Sequence, residues 1–181
     1  RLPIKEEDDK NPFNPYAKTK LEDEKLAKIY SEKGAKIIGL RYFNVFGFRQ
    51  SKEYAGVIKL FLEKISKNES PKINGDGLQT RDFVHVSDVV NSNILSMTSN
   101  VDHEFFNVGT NFGISVLDLA NIIIDASGLD ISPVHGPTLQ GDVNATLADI
   151  SLIENKLGWE HKVKLKDWLD NVIKTDKINE V

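Results

Sequence analysis

Lys36-Ile37-Ile38-Gly39-Leu40-Arg41-Tyr42-Phe43-Asn44-Val45-Phe46-Gly47 decides how this chain folds. Its near-continuous apolar character is that of a strand buried on both faces, as in a parallel sheet. The residues before it read as a helix over 15–33. Leu21, Leu26, Ile29 and Tyr30 form its apolar stripe, and Gly34 is its C-terminal stop. A helix feeding such a strand is the second half of a βαβ unit, so the expected class is α/β. Asn44 falls where the strand ends. Ligands of open α/β sheets bind beyond the carboxyl ends of the strands, although capping a turn is an equally common use of Asn.

The helix opens on Asn14-Pro15-Tyr16-Ala17-Lys18-Thr19-Lys20. Asn14 suits the N-cap and Pro15 the first helical position. Tyr16 and Lys20, four residues apart, share one face. A free phenol titrates near pH 10, too high for a base at neutral pH, and a cation held close favours the phenolate. Tyr-x-x-x-Lys at a helix start is therefore a candidate for proton transfer. On these residues alone, a surface lysine beside a packed tyrosine explains the spacing as well.

Downstream, 56–67 reads as a helix with Val57, Ile58, Phe61 and Ile65 at helical spacing. Ile73-Asn74-Gly75-Asp76-Gly77 reads as a strand end and tight turn. Gln79–Val86 alternates like a strand, with Gln79, Arg81, Phe83 and His85 on one face and Thr80, Asp82, Val84 and Val86 on the other. Arg81 calls for an anion, which Asp76, Asp82 or a bound phosphate could supply. Ser87-Asp88 is expected to cap a helix to about residue 98, with Val89, Val90, Ile94 and Leu95 inward. Phe105–Gly109 is a short buried strand, and Ser115 with Asp118 opens a helix that stops at Gly128. A short strand over 131–135, a helix from Asp149 to Leu157, a final amphipathic helix around Trp168 and a fraying polar tail complete the expectation.

The 181 residues are 40% hydrophobic and 28% charged, which suits a soluble globular domain or a large part of one. A net charge of -4 does not favour nucleic acid. With no cysteine, disulfides, thiolate catalysis and Cys-ligated zinc are excluded, and a cytoplasmic setting fits. His85, His103, His135 and His161 lack metal-ligand spacing, so no metal is expected. No apolar run approaches the ~18 residues of a membrane span, and the opening residues, which no apolar stretch follows, are not expected to act as a signal peptide.

The order of these pieces resembles the extended short-chain dehydrogenase/reductase family, in particular its nucleotide-sugar epimerases and dehydratases of the UDP-glucose 4-epimerase type. Asn14–Lys20 is similar to the family's Tyr-x-x-x-Lys segment, and Arg41–Gly47 to its strand with a substrate-binding Asn. Gly75–Val90, Phe106-Asn107-Val108-Gly109, Gly141-Asp142-Val143, Ala148-Asp149-Ile150 and Leu157-Gly158-Trp159 continue the match in order. The resemblance implies the C-terminal part of a Rossmann-type parallel-sheet domain plus a smaller mixed α/β substrate-binding domain. The implied portions are 1–46 (Rossmann, with the Tyr-Lys helix), 47–84 (substrate-binding), 85–109 (Rossmann again) and 110–181 (substrate-binding domain).

The resemblance implies NAD as cofactor and a UDP-sugar as substrate. Tyr16 would be the base toward the sugar 4-hydroxyl, and Lys20 would bind the nicotinamide ribose. Asn44 would contact the nucleotide-sugar phosphates and Arg81 the pyrophosphate. The 56–58 segment with Val57, and Ile73 with Asn74, would lie near the nucleobase, and Asp142 would position the substrate loop. The family's Gly-rich dinucleotide loop and its catalytic Ser/Thr do not occur here. The expectation is thus the C-terminal half of a longer enzyme, inactive on its own and homodimeric when full-length. Leu139 stands where many members carry a phosphate-binding Arg, Asn74 replaces a common aromatic, and Phe48 a common Pro. A 4,6-dehydratase shares this half, and a non-catalytic nucleotide-sugar or protein-binding homologue is the reading from another class. Retention of both Tyr16 and Lys20 argues against the latter.

Overall fold

The computed structural model describes residues 1–181 apart from Phe13, 52–55, Gln140 and Asp142. Its elements run α1 (Pro15–Ser31), β1 (Ile37–Tyr42), β2 (Asn44–Phe46), α2 (Val57–Ile65), β3 (Lys72–Asn74), β4 (Thr80–His85), α3 (Val86–Thr98), β5 (His103–Val108), β6 (Gly113–Ser115), α4 (Val116–Ser127), β7 (Val134–Gly136), α5 (Ser151–Leu157) and α6 (Leu165–Lys174), with a 3-10 turn at Ile178–Glu180. This is a mixed α/β fold with parallel pairing, as expected.

The head of α1 forms as its residues dictate. Asn14 is extended and its Oδ1 accepts from the Ala17 amide at 2.7 Å, while Pro15 needs no such partner. The single strand expected over 36–47 is instead two. β1 pairs in parallel with β5, Ile37 opposite His103 through Tyr42 opposite Val108. Phe43 breaks the run, its amide donating to the Val108 carbonyl at 3.0 Å. β2 then moves to another sheet, pairing in parallel with β4, whose other edge takes β6 antiparallel. Asn44 accordingly opens a strand rather than closing one. β3 and β7 form a third, parallel pair.

β4 runs between two cores. Phe83 belongs to one, with Phe46, Phe61, Leu119, Ile123 and Trp168. Val84, the next residue, belongs to the other, with Phe106, Val108, Ile150, Ile153 and Trp159. The alternation read from sequence is therefore present, but both faces are covered. Fully burying one such side chain contributes about 1.5–3 kcal/mol, which makes β4 the strand the body is built on.

Three expectations are corrected. In α3, Val89 is buried and Leu95 packs on the second core, but Val90 and Ile94 point outward, 52% and 53% exposed. The cap of α3 is not Ser87-Asp88: His85 Nδ1 accepts from the Ser87 amide at 3.2 Å. Asp88 is buried and accepts instead from the amides of Lys162 and Val163, both at 3.1 Å, while Trp159 Nε1 donates to its carbonyl at 2.9 Å. The tail does not fray either. Val181 is buried, and its carbonyl accepts from Lys59 Nζ at 2.9 Å and the Gln50 amide at 3.0 Å.

Burial holds the His85 pKa below its ordinary 6.5, with the Asp88 charge pulling the other way. The unfolded chain therefore protonates first. Stability from this residue is full above pH 6.5 and is lost as pH falls through 6.5 toward the lowered folded value. His85→Asn keeps a capping acceptor and removes the titration. It should flatten the drop in melting temperature between about pH 7.5 and about pH 5.5. Calorimetry at the two pH values checks this; an equal drop in both proteins would assign the loss to other groups.

Candidate active site

Tyr16 stands on the first turn of α1 with 72% of its surface exposed. Lys20 Nζ lies 5.9 Å from the Tyr16 ring centroid, one turn on. It donates to Asp23 Oδ2 at 2.8 Å, and that hydrogen bond and charge hold the ammonium above its ordinary pKa. The pair is solvent-exposed, so little holds Lys20 there against a ligand.

Tyr16, Lys20, Asn44 and Thr146 share the walls of one hollow of about 560 Å3. Asn44 Nδ2 donates to the Asp82 carbonyl at 3.0 Å and to Thr146 Oγ1 at 3.4 Å. Thr146 gave no sign of itself in the sequence, being one threonine in a loop without a motif. A second hollow, of about 350 Å3, is walled by Asn74, Asp76, Gln79, Leu139 and Asn144. Gln79 Nε2 donates to the Asn74 carbonyl at 3.1 Å, and Asp76 Oδ1 accepts from the Leu78 amide at 3.0 Å.

Asn144 walls the second hollow and Thr146 the first, so the two adjoin beside β4. Residues 144–146 run along it as a strap: the Thr80 amide donates to Asn144 O at 2.9 Å and the Thr146 amide to Thr80 O at 3.0 Å. Arg81 sits on β4 between Gln79 of the second hollow and Asp82, whose carbonyl holds Asn44 of the first. Its Nη1 donates to the Thr80 carbonyl at 2.9 Å. Asp82, one anion the sequence offered to Arg81, is fully buried. Its carboxylate accepts from the Thr110 amide (2.8 Å), Thr110 Oγ1 (2.7 Å), the Asn111 amide (3.1 Å) and the Ala148 amide (3.1 Å). Only glycine fits at 109, because a Cβ there would stand 2.6 Å from Ala148 Cβ and 2.8 Å from Asp82 Oδ2.

Ile73 is fully buried in the first core and Val57 packs against it, so neither side chain walls a hollow. Asp142 lies outside the described residues. Glu24 and Arg41 also line the first hollow and were not singled out from sequence. The available signal was spacing, since Glu24 follows Lys20 by one further helical turn. Among the described residues no group of three or more His, Cys, Asp or Glu could hold a metal ion, and no helix is long and apolar enough to cross a membrane.

Comparison with known proteins gives this geometry a relation. A Methanocaldococcus jannaschii protein provisionally named UDP-glucose 4-epimerase is 38% identical over 180 residues, which cover 98% of this chain and 58% of that protein. The structure of the UDP-N-acetylglucosamine 4-epimerase of Methanobrevibacter ruminantium, in complex with UDP-N-acetylmuramic acid, superposes with a TM-score of 0.90 at 35% identity, over 98% of this chain and 58% of that one. The UDP-glucuronic acid 4-epimerase of Bacillus cereus, in complex with UDP-glucuronic acid and NAD, gives 0.85 at 28% identity, over 95% and 56%. This chain thus spans a little over half the length of such relatives. The model of the NAD dependent epimerase/dehydratase family matches residues 1–109, a stretch that includes Tyr16, Lys20, Asn44, Asn74 and Arg81. The chain belongs to the NAD dependent epimerase/dehydratase family.

Proposed function

We propose that this chain supplies the proton-transfer pair and the nucleotide-sugar seat of a UDP-sugar 4-epimerase, with UDP-glucose and UDP-galactose as the substrate pair. The observation that carries the reading is the gathering of Tyr16, Lys20 and Asn44 around one hollow, with a second hollow reached from it two residues along the chain, from Thr146 to Asn144. The exposed Tyr16 phenol takes the proton from the sugar 4-hydroxyl. Lys20 places a positive charge one turn away, 5.9 Å from the centre of the ring whose oxygen receives it. Asn44, on the floor of the first hollow, contacts the sugar-phosphate end. Arg81 takes the diphosphate. Asn74 meets the base, with the main chain at Val57 and Ile73 completing that end and Asp142 positioning the substrate loop.

The same pair suits the dinucleotide, because a phenol and an ammonium on one open helix face match the hydroxyls of a ribose. Tyr16 and Lys20 would hold NAD at its nicotinamide ribose, Lys20 leaving Asp23 to do so. When bound, NAD supplies the hydride chemistry at sugar C4. In the full-length protein the half-exposed Leu26, Ile29 and Tyr30 on α1 suit a homodimer contact.

The test is turnover by the full-length protein that carries this chain, given NAD and UDP-glucose. UDP-galactose is the expected product. Conversion of UDP-N-acetylglucosamine alone would change the sugar. Release of water to a 4-keto-6-deoxy product would identify a dehydratase and overturn the epimerase reading, as would no turnover of any UDP-hexose.

A further inference from the structure

α1 carries the reactive pair, yet none of its residues is fully buried. Its inner side, with Ala17, Leu21, Glu24 and Ala27, is half-buried against β1. Glu24 lies four residues beyond Lys20 and eight beyond Tyr16, on the same face of α1. Its carboxylate is gripped by Arg41 of β1 in a two-pronged contact, Nε to Oε1 at 2.7 Å and Nη2 to Oε2 at 2.9 Å. Both side chains are shielded, 21% and 24% exposed.

Arg41 is itself fixed from several sides. Its third donor, Nη1, reaches the Glu6 carbonyl at 3.1 Å, and its guanidinium lies 5.5 Å from the Phe105 ring centroid. Its main chain is opposite Asn107 in β5. Lys10 Nζ, 4.0 Å from Glu24 Oε2, adds a second cation to the same carboxylate. Three residues after Arg41 the chain reaches Asn44. β1, which leads into Asn44, and the helix that presents Tyr16 and Lys20 are thus joined by one planar fork, whose two parallel hydrogen bonds resist rotation and sliding.

We propose that Glu24 and Arg41 are a positioning pair that sets Tyr16 and Lys20 against the sugar held at Asn44. Neither donates or takes a proton in the reaction. The proposal rests on the assignment of Tyr16 as the base, and its test separates the two. In the full-length protein, Glu24→Gln should lower kcat about 10- to 100-fold, with KM for the UDP-sugar within about threefold, since a misplacement near 1 Å is enough for such a loss. Arg41→Met should do the same. Arg41→Lys, which keeps the cation but not the fork, should lose a similar share of kcat while melting like the parent, which a general loosening of the fold would not allow.

Circular dichroism melts on all variants accompany the rates. Wild-type kcat in Glu24→Gln while Tyr16→Phe is dead would overturn the positioning pair alone. A rise in KM with kcat unchanged would also overturn it, as would parent-like kcat in Arg41→Lys. Full activity in Tyr16→Phe would overturn the assignment of the base and the pair with it.

Discussion

Replacing Tyr16 with phenylalanine in the full-length protein should lower kcat on the order of 10²- to 10⁴-fold. Affinity for the UDP-sugar should stay within about threefold of the parent. The separation follows from the geometry. The Tyr16 ring is largely exposed, so loss of one oxygen disturbs no packing. The groups assigned to the diphosphate and base stand on β4 and β3, away from α1. Initial rates, with titration calorimetry for binding, read the two quantities separately. Parent-like turnover would sink the assignment of Tyr16 as base. A matching loss of affinity would mean that the phenol holds the sugar rather than moving its proton.

The second large effect concerns stability. Asp82→Ala should destabilise the fold by about 3–5 kcal/mol, because it takes the acceptor from one buried and several part-buried donors at once and opens a cavity where the buried carboxylate stood. The Thr110, Asn111 and Ala148 amides all lose their acceptor. Asp82→Asn should cost roughly half as much. Its amide oxygen can still serve Thr110, but its NH2 would face the amides of Asn111 and Ala148, donor against donor. Urea unfolding with a shared m-value measures both. A cost below about 1 kcal/mol for Asp82→Ala would show that the loop around Thr110 finds other acceptors.

The sequence was legible where a rule acts locally. Asn14, Pro15 and the glycines after α4 and α5 did what their chemistry dictates, and Ser115 caps α4 by accepting the Asp118 amide at 2.9 Å. It was illegible where the answer depends on what lies opposite. Val90 and Ile94 have helical spacing, and spacing identifies a face without saying what covers it. Leu26 and Tyr30 on α1 show the same, each about half exposed. Continuous apolarity over 36–47 could not reveal that Phe43 ends one ladder and Asn44 starts another. Asp88 looked like a cap because caps are local; its actual partners lie more than seventy residues away. In the site, Tyr16 and Lys20 were legible because one helical turn joins them. Thr146 was not, because only the strap along β4 brings it to Asn44.

β4 also acts as a ruler. Gln79 belongs to one hollow and Asp82 anchors the other, three residues on. At a strand's rise their separation is about 10 Å, set by covalent bonds and a sheet ladder rather than by side-chain packing. A ligand gripped at both ends must therefore keep a middle of nearly constant length. Substitutions among the residues that wall either hollow can change which end groups fit. Lengthening or shortening the linker between them would require an insertion into the strand that separates the two cores, where a one-residue slip would turn Phe83 and Val84 to the wrong sides.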